Sequence, residues 1–282
     1  MSNEKKVWML TGSSRGIGLE IVRAALEAGH QIVATARRPE QITAALGQQF
    51  GEDRLLALAV DLTQEGNAEA AVAAATARFG RIDVLVNNAG YGQIGWFENT
   101  SPMQIRRQFE TNVFGTMEMT RAVLPIMRQQ RSGHVFTFSS IAGFTAFAGS
   151  SVYSASKFAL EGWMEGLSKE VQPFGIAATL VQPGFFRTDF LESNSINYGD
   201  RNVADYAEAS AAFKAWHDDQ NHQQQGDPQK LAALVIQLAE DKNPPLHLAA
   251  GSDALELAVS VATARRDSAQ GLAELSRSTD FS

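Results

Sequence analysis

The sequence contains no cysteine, which excludes disulfide bonds, thiolate metal sites and a cysteine nucleophile. Proline is scarce, with 8 residues in 282, and no stretch rich in proline, glycine or serine divides the chain. No window approaches the roughly 18 apolar residues of a membrane span, and the N-terminal MSNEKKVWML places charged residues ahead of a short apolar run. These absences predict one large domain, 1–282, in a cytoplasmic protein with no membrane partner.

Positive charge is also in short supply. Lysine and arginine number 24 against 31 acidic residues, which gives a formal net charge of -7. Nucleic acids and anionic membranes select clustered lysine and arginine, so neither is expected as the main partner. Hydrophobic residues make up 44% of the chain, enough apolar material for a sizeable core.

Short apolar runs alternate with longer segments of helical period along the chain. Such alternation predicts an α/β fold built from βαβ units, and the nearly continuous apolar runs are typical of parallel strands covered by helices on both faces. Seven runs are expected to form the sheet: VWML, QIVATA, LLALAVDL, DVLVNNAG, HVFTFSS, IAATLVQPG and LHLAA. Helices should begin near Gly16, Pro39, Gln64, Pro102, Ser151 and Pro228, the last with Asp227 as N-cap.

A glycine-rich turn follows the first strand. The stretch TGSSRGIG runs from Thr11 to Gly18 and opens a helix. Its glycines allow a tight turn and a close approach to a pyrophosphate, which the free N–H groups at the helix N-terminus would bind. The stretch therefore predicts a dinucleotide site formed by Gly12, Ser14, Arg15, Gly16, Ile17 and Gly18.

The loop has three other interpretations. The glycines could serve only the turn, because the spacing G-x-x-x-G-x-G differs from the usual G-x-G-x-x-G. A P-loop is excluded, since Leu19 and Glu20 stand where lysine and serine or threonine would be needed. A serine hydrolase elbow, G-x-S-x-G, is present at 12–16, yet none of the five histidines has a distinctive setting for a triad.

The end of the second strand predicts which nucleotide is bound. In NAD-binding folds an acidic residue at this point accepts a hydrogen bond from the ribose 2′-hydroxyl, whereas arginine suits a 2′-phosphate. Here QIVATARRPE has Ala36 at the acidic position, followed by Arg37 and Arg38. Because guanidinium binds phosphate in a bidentate manner, NADP(H) is expected, with Arg15 as a further contact. The alternative is a solvated basic turn.

A phenol and an ammonium stand four residues apart in SSVYSASKFAL. Tyr153 and Lys157 would lie on one face of a helix. Reduction of a carbonyl by hydride needs a proton donor beside the oxygen. A free tyrosine has a pKa of about 10, and a neighbouring ammonium, together with an oxidised nicotinamide, is expected to lower it.

Six motifs in order resemble those of the classical short-chain dehydrogenases/reductases over roughly residues 5 to 190. They are TGSSRGIG, NNAG at 87–90, TNVFGT at 111–116, the serines at 139 and 140, YSASK and PGFFRT at 183–188. The resemblance implies a Rossmann-type, doubly wound, mostly parallel seven-stranded sheet in a single domain, and an NADP(H)-dependent oxidoreductase of the carbonyl reductase or alcohol dehydrogenase type.

The resemblance also implies roles at the matching positions. Tyr153 is expected as general acid/base, Lys157 as its partner and a ligand of the nicotinamide ribose, Asn112 as holder of a relay water, and Ser140 as hydrogen-bond donor to the substrate oxygen. Further cofactor contacts are expected from Asn87, Asn88, Ala89, Gly90, Asp61 (to the adenine amine), Leu62, Pro183, Gly184 and Thr188.

Each role has a structural alternative. Asn112 could satisfy a helix backbone group, and Asp61 could cap a helix, although Thr63 is the better-placed N-cap. Ser140 could be an ordinary hydroxyl at a strand end, and Tyr153 with Lys157 a surface pair. The stretch HDDQNH, 217–222, could bind a metal, but its neighbours are polar on every side and a solvated helix end is favoured, so no metal is expected.

Substrate information should lie in the segment 189–227, which is too long for a tight loop and is expected to form a lid over the site. Aromatic residues there and near the motifs could line an apolar pocket for a hydrophobic ketone, aldehyde or secondary alcohol. The candidates are Tyr91, Phe144, Phe147, Phe185, Phe186, Phe190, Tyr198, Tyr206, Phe213 and Trp216.

The C-terminal segment, 251–282, continues past the point where short classical members end. This departure resembles the steroid- and retinoid-dehydrogenase-like branch, including bacterial reductases, and leaves a homodimer, a homotetramer and a monomer open. A non-catalytic NADP(H)-binding redox sensor of the same fold is the alternative function, although such proteins usually lack the tyrosine or the lysine. Epimerases and dehydratases with Y-x-x-x-K resemble longer chains with a differently spaced glycine loop.

Overall fold

The seven apolar runs form a seven-stranded parallel sheet in a computed structural model that describes residues 5–47, 49–51, 53–192 and 195–281. The strands are β1 (Val7–Thr11), β2 (Gln31–Ala36), β3 (Leu55–Ala59), β4 (Val84–Asn87), β6 (Gly133–Phe138), β7 (Ile176–Pro183) and β9 (His247–Ala250). Their order across the sheet is β3-β2-β1-β4-β6-β7-β9, and every neighbouring pair is parallel. The predicted fold class is confirmed.

Helices connect the strands and cover both faces of the sheet. They are α1 (Gly16–Glu27), α2 (Glu40–Leu46), α3 (Asn67–Phe79), α4 (Pro102–Phe109), α5 (Gly115–Gln130), α6 (Ser151–Val171), α7 (Ala207–Gln220), α8 (Pro228–Ala239), α9 (Ser252–Gly271) and α10 (Ala273–Arg277). One apolar layer includes side chains of α1, α2 and α8, and the other includes those of α3, α5 and α6. Successive strand residues point to opposite faces, so Trp8 and Met9 of β1 are both fully buried, one in each layer.

Most helix starts agree with the sequence, and Asp227 is confirmed as the N-cap of α8, where its carboxylate accepts from the N–H of Gln229 at 2.9 Å. The third helix is the exception. It begins at Asn67 after Gly66 rather than near Gln64, because Asp61 Oδ1 accepts from both the N–H (3.0 Å) and the hydroxyl (2.7 Å) of Thr63 and holds a turn there. Neither Asp61 nor Thr63 caps the helix.

Strand order reverses around β1, which lies between β2 and β4. The connections from these two strands leave in opposite directions, and a crevice opens at their carboxyl ends. The predicted glycine loop after β1, the arginines after β2 and NNAG at the end of β4 all lie at this edge. The topology therefore places the main predicted motifs together.

A second, two-stranded parallel sheet was not predicted. It pairs β5 (Gly92–Ile94), just after NNAG, with β8 (Ile196–Tyr198) in the segment 189–227. A π-helical turn, Glu110–Phe114, joins α4 to α5 and contains Asn112. Within the described residues no helix combines the length and the apolarity that a bilayer crossing requires.

Buried His134 should make the fold sensitive to acid. Its Nε2 lies 2.9 Å from the Thr179 hydroxyl oxygen, and burial lowers its pKa from 6.5 to about 3. The unfolded chain therefore binds a proton in this pH window that the folded chain does not, so stability falls as the pH falls. Relative to His134→Gln, the wild type should lose about 1.4 kcal/mol more per pH unit in the free energy of unfolding.

Urea unfolding between pH 6.5 and 3 measures the two slopes. His222→Gln is the matched control, because the His222 side chain is 54% exposed and its replacement should not reproduce the change of slope expected for His134→Gln. Parallel curves for the wild type and His134→Gln would contradict the assignment.

Candidate active site

The glycine loop after β1 is shaped by close contacts that only glycine permits. Gly12 and Gly16 have φ values of 69° and 55°, a region that other residues rarely adopt. A Cβ on Gly12 would stand 2.7 Å from Ala89 Cα. Gly18 does not face the crevice: a Cβ there would collide with the carbonyl oxygen of Gly12 and the side chain of Asn88. Gly18 therefore permits tight packing beneath the loop.

NNAG at the end of β4 braces that loop. Asn88 Nδ2 donates to the carbonyl of Gly12 at 2.9 Å, and the Thr11 hydroxyl accepts from the N–H groups of Asn88 and Ala89, both at 3.1 Å. Asn87, expected beside the cofactor, instead points into the core and donates to the hydroxyls of Thr120 (2.8 Å) and Thr137 (3.3 Å). The expectation for Asn87 was wrong, because strand alternation turns it away from the crevice.

Basic side chains line the far end of the crevice. Arg37 and Arg38 are exposed and, among the described residues, their guanidinium groups form no hydrogen bond or ion pair. Burial acts to raise the pKa of Asp61, but the two hydrogen bonds from Thr63 and the charges of Arg37 and Arg107 together lower it. Arg107 of α4 was not identified from the sequence. Two unpaired guanidinium groups after β2 fit a 2′-phosphate.

Tyr153 and Lys157 come from the first two turns of α6 and are both nearly fully buried. Lys157 Nζ donates to the carbonyl of Phe138, at the end of β6, at 2.8 Å and lies 5.7 Å from the centre of the Tyr153 ring. The Ser140 hydroxyl accepts from the N–H of Ala142 at 3.1 Å, and it acts to lower the pKa of the Tyr153 phenol. The alternative of a surface pair is excluded by this burial.

Burial, rather than the nearby ammonium, dominates the titration of the phenol. Burial raises the pKa of Tyr153 from 10.0 to about 12, and the Ser140 hydroxyl opposes this only in part. Burial also lowers the pKa of Lys157 from 10.5 to about 8, against the charge of Glu161, which raises it. The expected lowering of the tyrosine pKa includes the charge of an oxidised nicotinamide, and it stays a prediction. Desolvation disfavours the charged form of both groups.

Asn112 lies in the π turn and holds the loop after NNAG. Its Oδ1 accepts from the N–H of Tyr91 at 3.1 Å, while Nδ2 donates to the Tyr91 carbonyl at 3.0 Å and to the Ser156 hydroxyl at 3.4 Å. The side chain thus satisfies backbone groups of a loop rather than of a helix. Its proposed part in a proton relay stays a prediction.

One cavity of about 920 Å³ connects these elements. The predicted site residues that line it are Gly12, Ser14, Arg15, Gly16, Ile17, Arg37, Arg38, Asp61, Leu62, Asn88, Ala89, Gly90, Ser140, Tyr153, Lys157, Pro183, Gly184 and Thr188. Gly18 and Asn112 do not line the cavity; they contact residues that do, Gly12 and Tyr91 respectively. Ser14, the serine of the elbow motif, has no hydrogen bond to any histidine in the described part of the chain, so the hydrolase alternative lacks its triad.

Aromatic side chains line the other end of the cavity. They are Tyr91, Phe147, Phe185, Phe186, Phe190, Phe213 and Trp216, as predicted. Three other candidates lie outside the lining. Tyr206 stacks on Trp96 with ring centres 5.5 Å apart, Tyr198 pairs in the small sheet, and the carbonyl of Phe144 accepts from Arg265.

His217 is a lining residue that the sequence did not reveal. The stretch HDDQNH was expected to be solvated, yet His217 is buried, with its ring centre 4.5 Å from that of Phe213 and 5.1 Å from that of Trp216. Burial lowers its pKa. His222, from the same stretch, lies 3.4 Å from Glu192 Oε1 and near Asp189, all at least partly exposed. The four-residue spacing of Phe213 and His217 was the available signal for a covered helix face.

Comparisons with known proteins agree with this geometry. A family model described as short chain dehydrogenase matches residues 6–199. Oxidoreductase BOA17 of Botryotinia fuckeliana is 39% identical over 257 residues, 90% of this chain and 91% of that protein. The 3-ketodihydrosphingosine reductase of Bacteroides thetaiotaomicron is 35% identical over 249 residues, 88% of each chain.

Solved structures show the same similarity. A short-chain dehydrogenase from Streptomyces avermitilis is 40% identical, with a TM-score of 0.88, and the match covers 99% of this chain and 100% of that one. The structure of ElxO with NADP bound is 25% identical, with a TM-score of 0.71 over 86% of this chain and 95% of that one.

Proposed function

The chain is an oxidoreductase of the short-chain dehydrogenase family, and from this premise we propose that it uses NADP(H) to interconvert a hydrophobic ketone or aldehyde and its alcohol. The observation that carries the proposal is one cavity with the two unpaired arginines after β2 at one end, Tyr153 and Ser140 in its wall, and aromatic side chains at the other end. A bound nicotinamide supplies or accepts the hydride there.

The chain's own groups provide the proton and hold the substrate oxygen. In the direction of reduction, Tyr153 Oη gives its proton to the oxygen of the former carbonyl, so the product leaves as a neutral alcohol. The Ser140 hydroxyl donates a hydrogen bond to the same oxygen and stabilises negative charge as it develops. Lys157 lies next to the phenol, and its ammonium favours the phenolate left after proton transfer.

The glycine loop and the arginines would hold the cofactor. The N–H groups at the start of α1 face the crevice and suit a pyrophosphate, with Asn88 and Thr11 keeping the loop in place. Arg37 and Arg38 would contact the 2′-phosphate, and Asp61, kept ionised by Thr63, would face the adenine amine.

Replacing Arg37 by serine should weaken NADPH binding by about 10- to 100-fold, since a charged hydrogen bond contributes about 1.5 to 3 kcal/mol. NADH affinity should stay unchanged, because NADH has no 2′-phosphate. Nucleotide fluorescence titrations measure both dissociation constants. Arg128→Ser is the matched control: it lies in the last turn of α5, at the opposite edge of the sheet. Equal losses for NADPH and NADH would contradict the phosphate role.

The substrate proposal rests on the apolar end of the cavity. Phe185, Phe190 and Trp216 line it and remain about 40% exposed, so an apolar molecule would cover them on binding. The Bacteroides relative reduces, by its name, a 3-keto lipid base, which fits this class. We propose that the segment 189–227 is the lid over this end.

Following nicotinamide absorbance tests the function directly. Purified protein is mixed with NADPH or NADH and a panel of apolar ketones, aldehydes and secondary alcohols, with small charged sugars as the comparison class. NADPH-dependent turnover of apolar carbonyls is the expected result, and activity on the sugars alone would overturn the substrate class. Tight NADPH binding without any turnover would favour the non-catalytic redox sensor.

The subfamily and assembly stay proposals. We place the chain in the steroid- and retinoid-dehydrogenase-like branch because of α9 and α10, which extend well past β9. A homodimer through the long helices near 103–130 and 151–172 is the assembly we propose to test, with a homotetramer and a monomer as the alternatives, and light scattering of the purified protein would measure it.

A further inference from the structure

A buried carboxylate stands one turn beyond the acid–base pair. Tyr153, Lys157 and Glu161 follow one another at intervals of four residues along α6, so their side chains lie on one face of the helix. Glu161 is only 8% exposed, which is rare for a glutamate without a partner charge. The reaction proposed above gives this residue no part.

Residues from three other segments surround the Glu161 carboxylate. Gln182 of β7 donates from Nε2 to Oε2 at 2.9 Å, and His247 Nδ1 of β9 lies 3.4 Å from the same oxygen. The Ser139 hydroxyl and Gly143 pack against it from the loop after β6; a Cβ on Gly143 would stand 2.8 Å from Oε1. Together with α6 itself, four segments of the chain therefore surround this acidic group.

Lys157 and Glu161 are both buried and lie one turn apart on α6. Burial raises the pKa of Glu161, and the hydrogen bond from Gln182, the nearby Ser139 hydroxyl and the charge of His247 oppose that rise without reversing it. Among the described residues, neither Glu161 Oε1 nor the Ser139 hydroxyl has a hydrogen-bond partner. Glu165, the next acidic residue on the helix, acts in the same direction as burial. Its Oε1 lies 3.5 Å from the other ring nitrogen of His247, at the surface. Lys157 is buried, and the negative charge of Glu161 favours its ammonium form.

We propose that Glu161 is a positioning residue for the acid–base pair: its carboxylate, held by Gln182 and His247, keeps the buried Lys157 in the ammonium form. The groups that face it are Lys157 and Glu165 on its own helix, His247 on β9, and the uncharged Gln182 and Ser139. The kinetic consequence rests on the proposed function. Without Glu161, Lys157 would lose its proton at lower pH, and the phenol of Tyr153 would lose its neighbouring charge.

Direct titration of the lysine tests the inference without any turnover. The full chain labelled with ¹³C at the lysine ε-carbon is titrated by NMR, and Lys157 is assigned as the signal lost in Lys157→Met. Glu161→Gln should lower the Lys157 midpoint by about one pH unit. Glu165→Gln, which removes the same charge from an exposed position one turn along, should leave it unchanged. An unchanged midpoint in Glu161→Gln, or equal shifts in the two variants, would overturn the proposal.

The pH profile of kcat/KM with NADPH provides the second readout. The alkaline limb of this profile should move to lower pH in Glu161→Gln by the same amount as the NMR midpoint. The limb of Glu161→Asp should lie between those of Glu161→Gln and the wild type. A uniform loss of activity with an unmoved limb would indicate a merely structural role. If Glu161→Gln does not fold, the Lys157 midpoint of Glu161→Asp tests the proposal instead. A midpoint below that of the wild type supports the proposal, and a midpoint equal to that of the wild type overturns the proposal. Absence of turnover in the wild type would count against the proposed function alone.

Discussion

Replacing Tyr153 by phenylalanine should reduce kcat by about 10²- to 10⁴-fold, the usual contribution of a positioned general acid, with little change in NADPH affinity. The phenyl ring keeps the packing of a residue that is 9% exposed, and only the phenol oxygen is lost. Burial holds the phenol protonated in the protein without nucleotide, with a pKa of about 12. The proton is therefore available for reduction at neutral pH, and no other group in the variant replaces it.

Steady-state kinetics and a nucleotide titration on the same preparation separate chemistry from binding. Tyr206→Phe is the matched control, because its hydroxyl donates to Glu98 at 2.7 Å on the surface, outside the cavity. That variant should keep wild-type kcat. A Tyr153→Phe protein with wild-type kcat would mean that another group supplies the proton.

Replacing Lys157 by methionine should reduce kcat/KM by about 10²-fold or more and at the same time stabilise the fold at neutral pH. Burial lowers the lysine pKa from 10.5 to about 8. Below pH 8 the wild-type fold therefore contains a charged group that it disfavours, whereas methionine has no charge to bury. The stability gain should be about 1 to 3 kcal/mol at pH 7, reduced by the loss of the hydrogen bond to Phe138.

The pH dependence separates this effect from better packing. Between pH 8 and 10.5 the unfolded wild-type chain binds a proton at this lysine and the folded chain does not, so wild-type stability rises with pH. The difference in the free energy of unfolding between Lys157→Met and the wild type, measured by urea unfolding, should therefore become smaller between pH 8 and 10.5. Lys230→Met, at an exposed position on α8, is the control and should show no such change. A constant gap, or a less stable Lys157→Met protein at pH 7, would contradict the buried-charge argument.

The sheet could be predicted from the sequence because its five inner strands are buried on both faces. A run such as VWML has no polar position to alternate with, and both Trp8 and Met9 are buried on opposite faces of the sheet. The crevice followed from the same prediction, since the glycines, arginines and NNAG all stand at strand ends. Local patterns were sufficient where one strand and the turn after it determine the position of a residue.

Features that depend on distant contacts were missed. His217 sits in a polar stretch, and only its packing on Phe213 and Trp216 shows that one face of α7 is buried. Asn87 and Asn88 are neighbours in one motif, yet strand alternation directs Asn87 into the core and Asn88 onto the glycine loop. The direction of the Tyr153 pKa shift also depends on burial, which the four-residue spacing to Lys157 does not reveal.

The small sheet connects two parts of the cavity wall, the loop after NNAG and the segment 189–227. Backbone pairing of Gly92–Ile94 with Ile196–Tyr198 attaches the first part of the segment 189–227 to the strand that follows NNAG. Because this pairing uses main-chain atoms, most side-chain replacements would leave it intact. The far end, α7, contributes Phe213, Trp216 and His217 to the cavity and no side chain to the acid–base set. We therefore expect substitutions in α7 to alter which molecules the cavity accepts while the proposed proton donor stays in place.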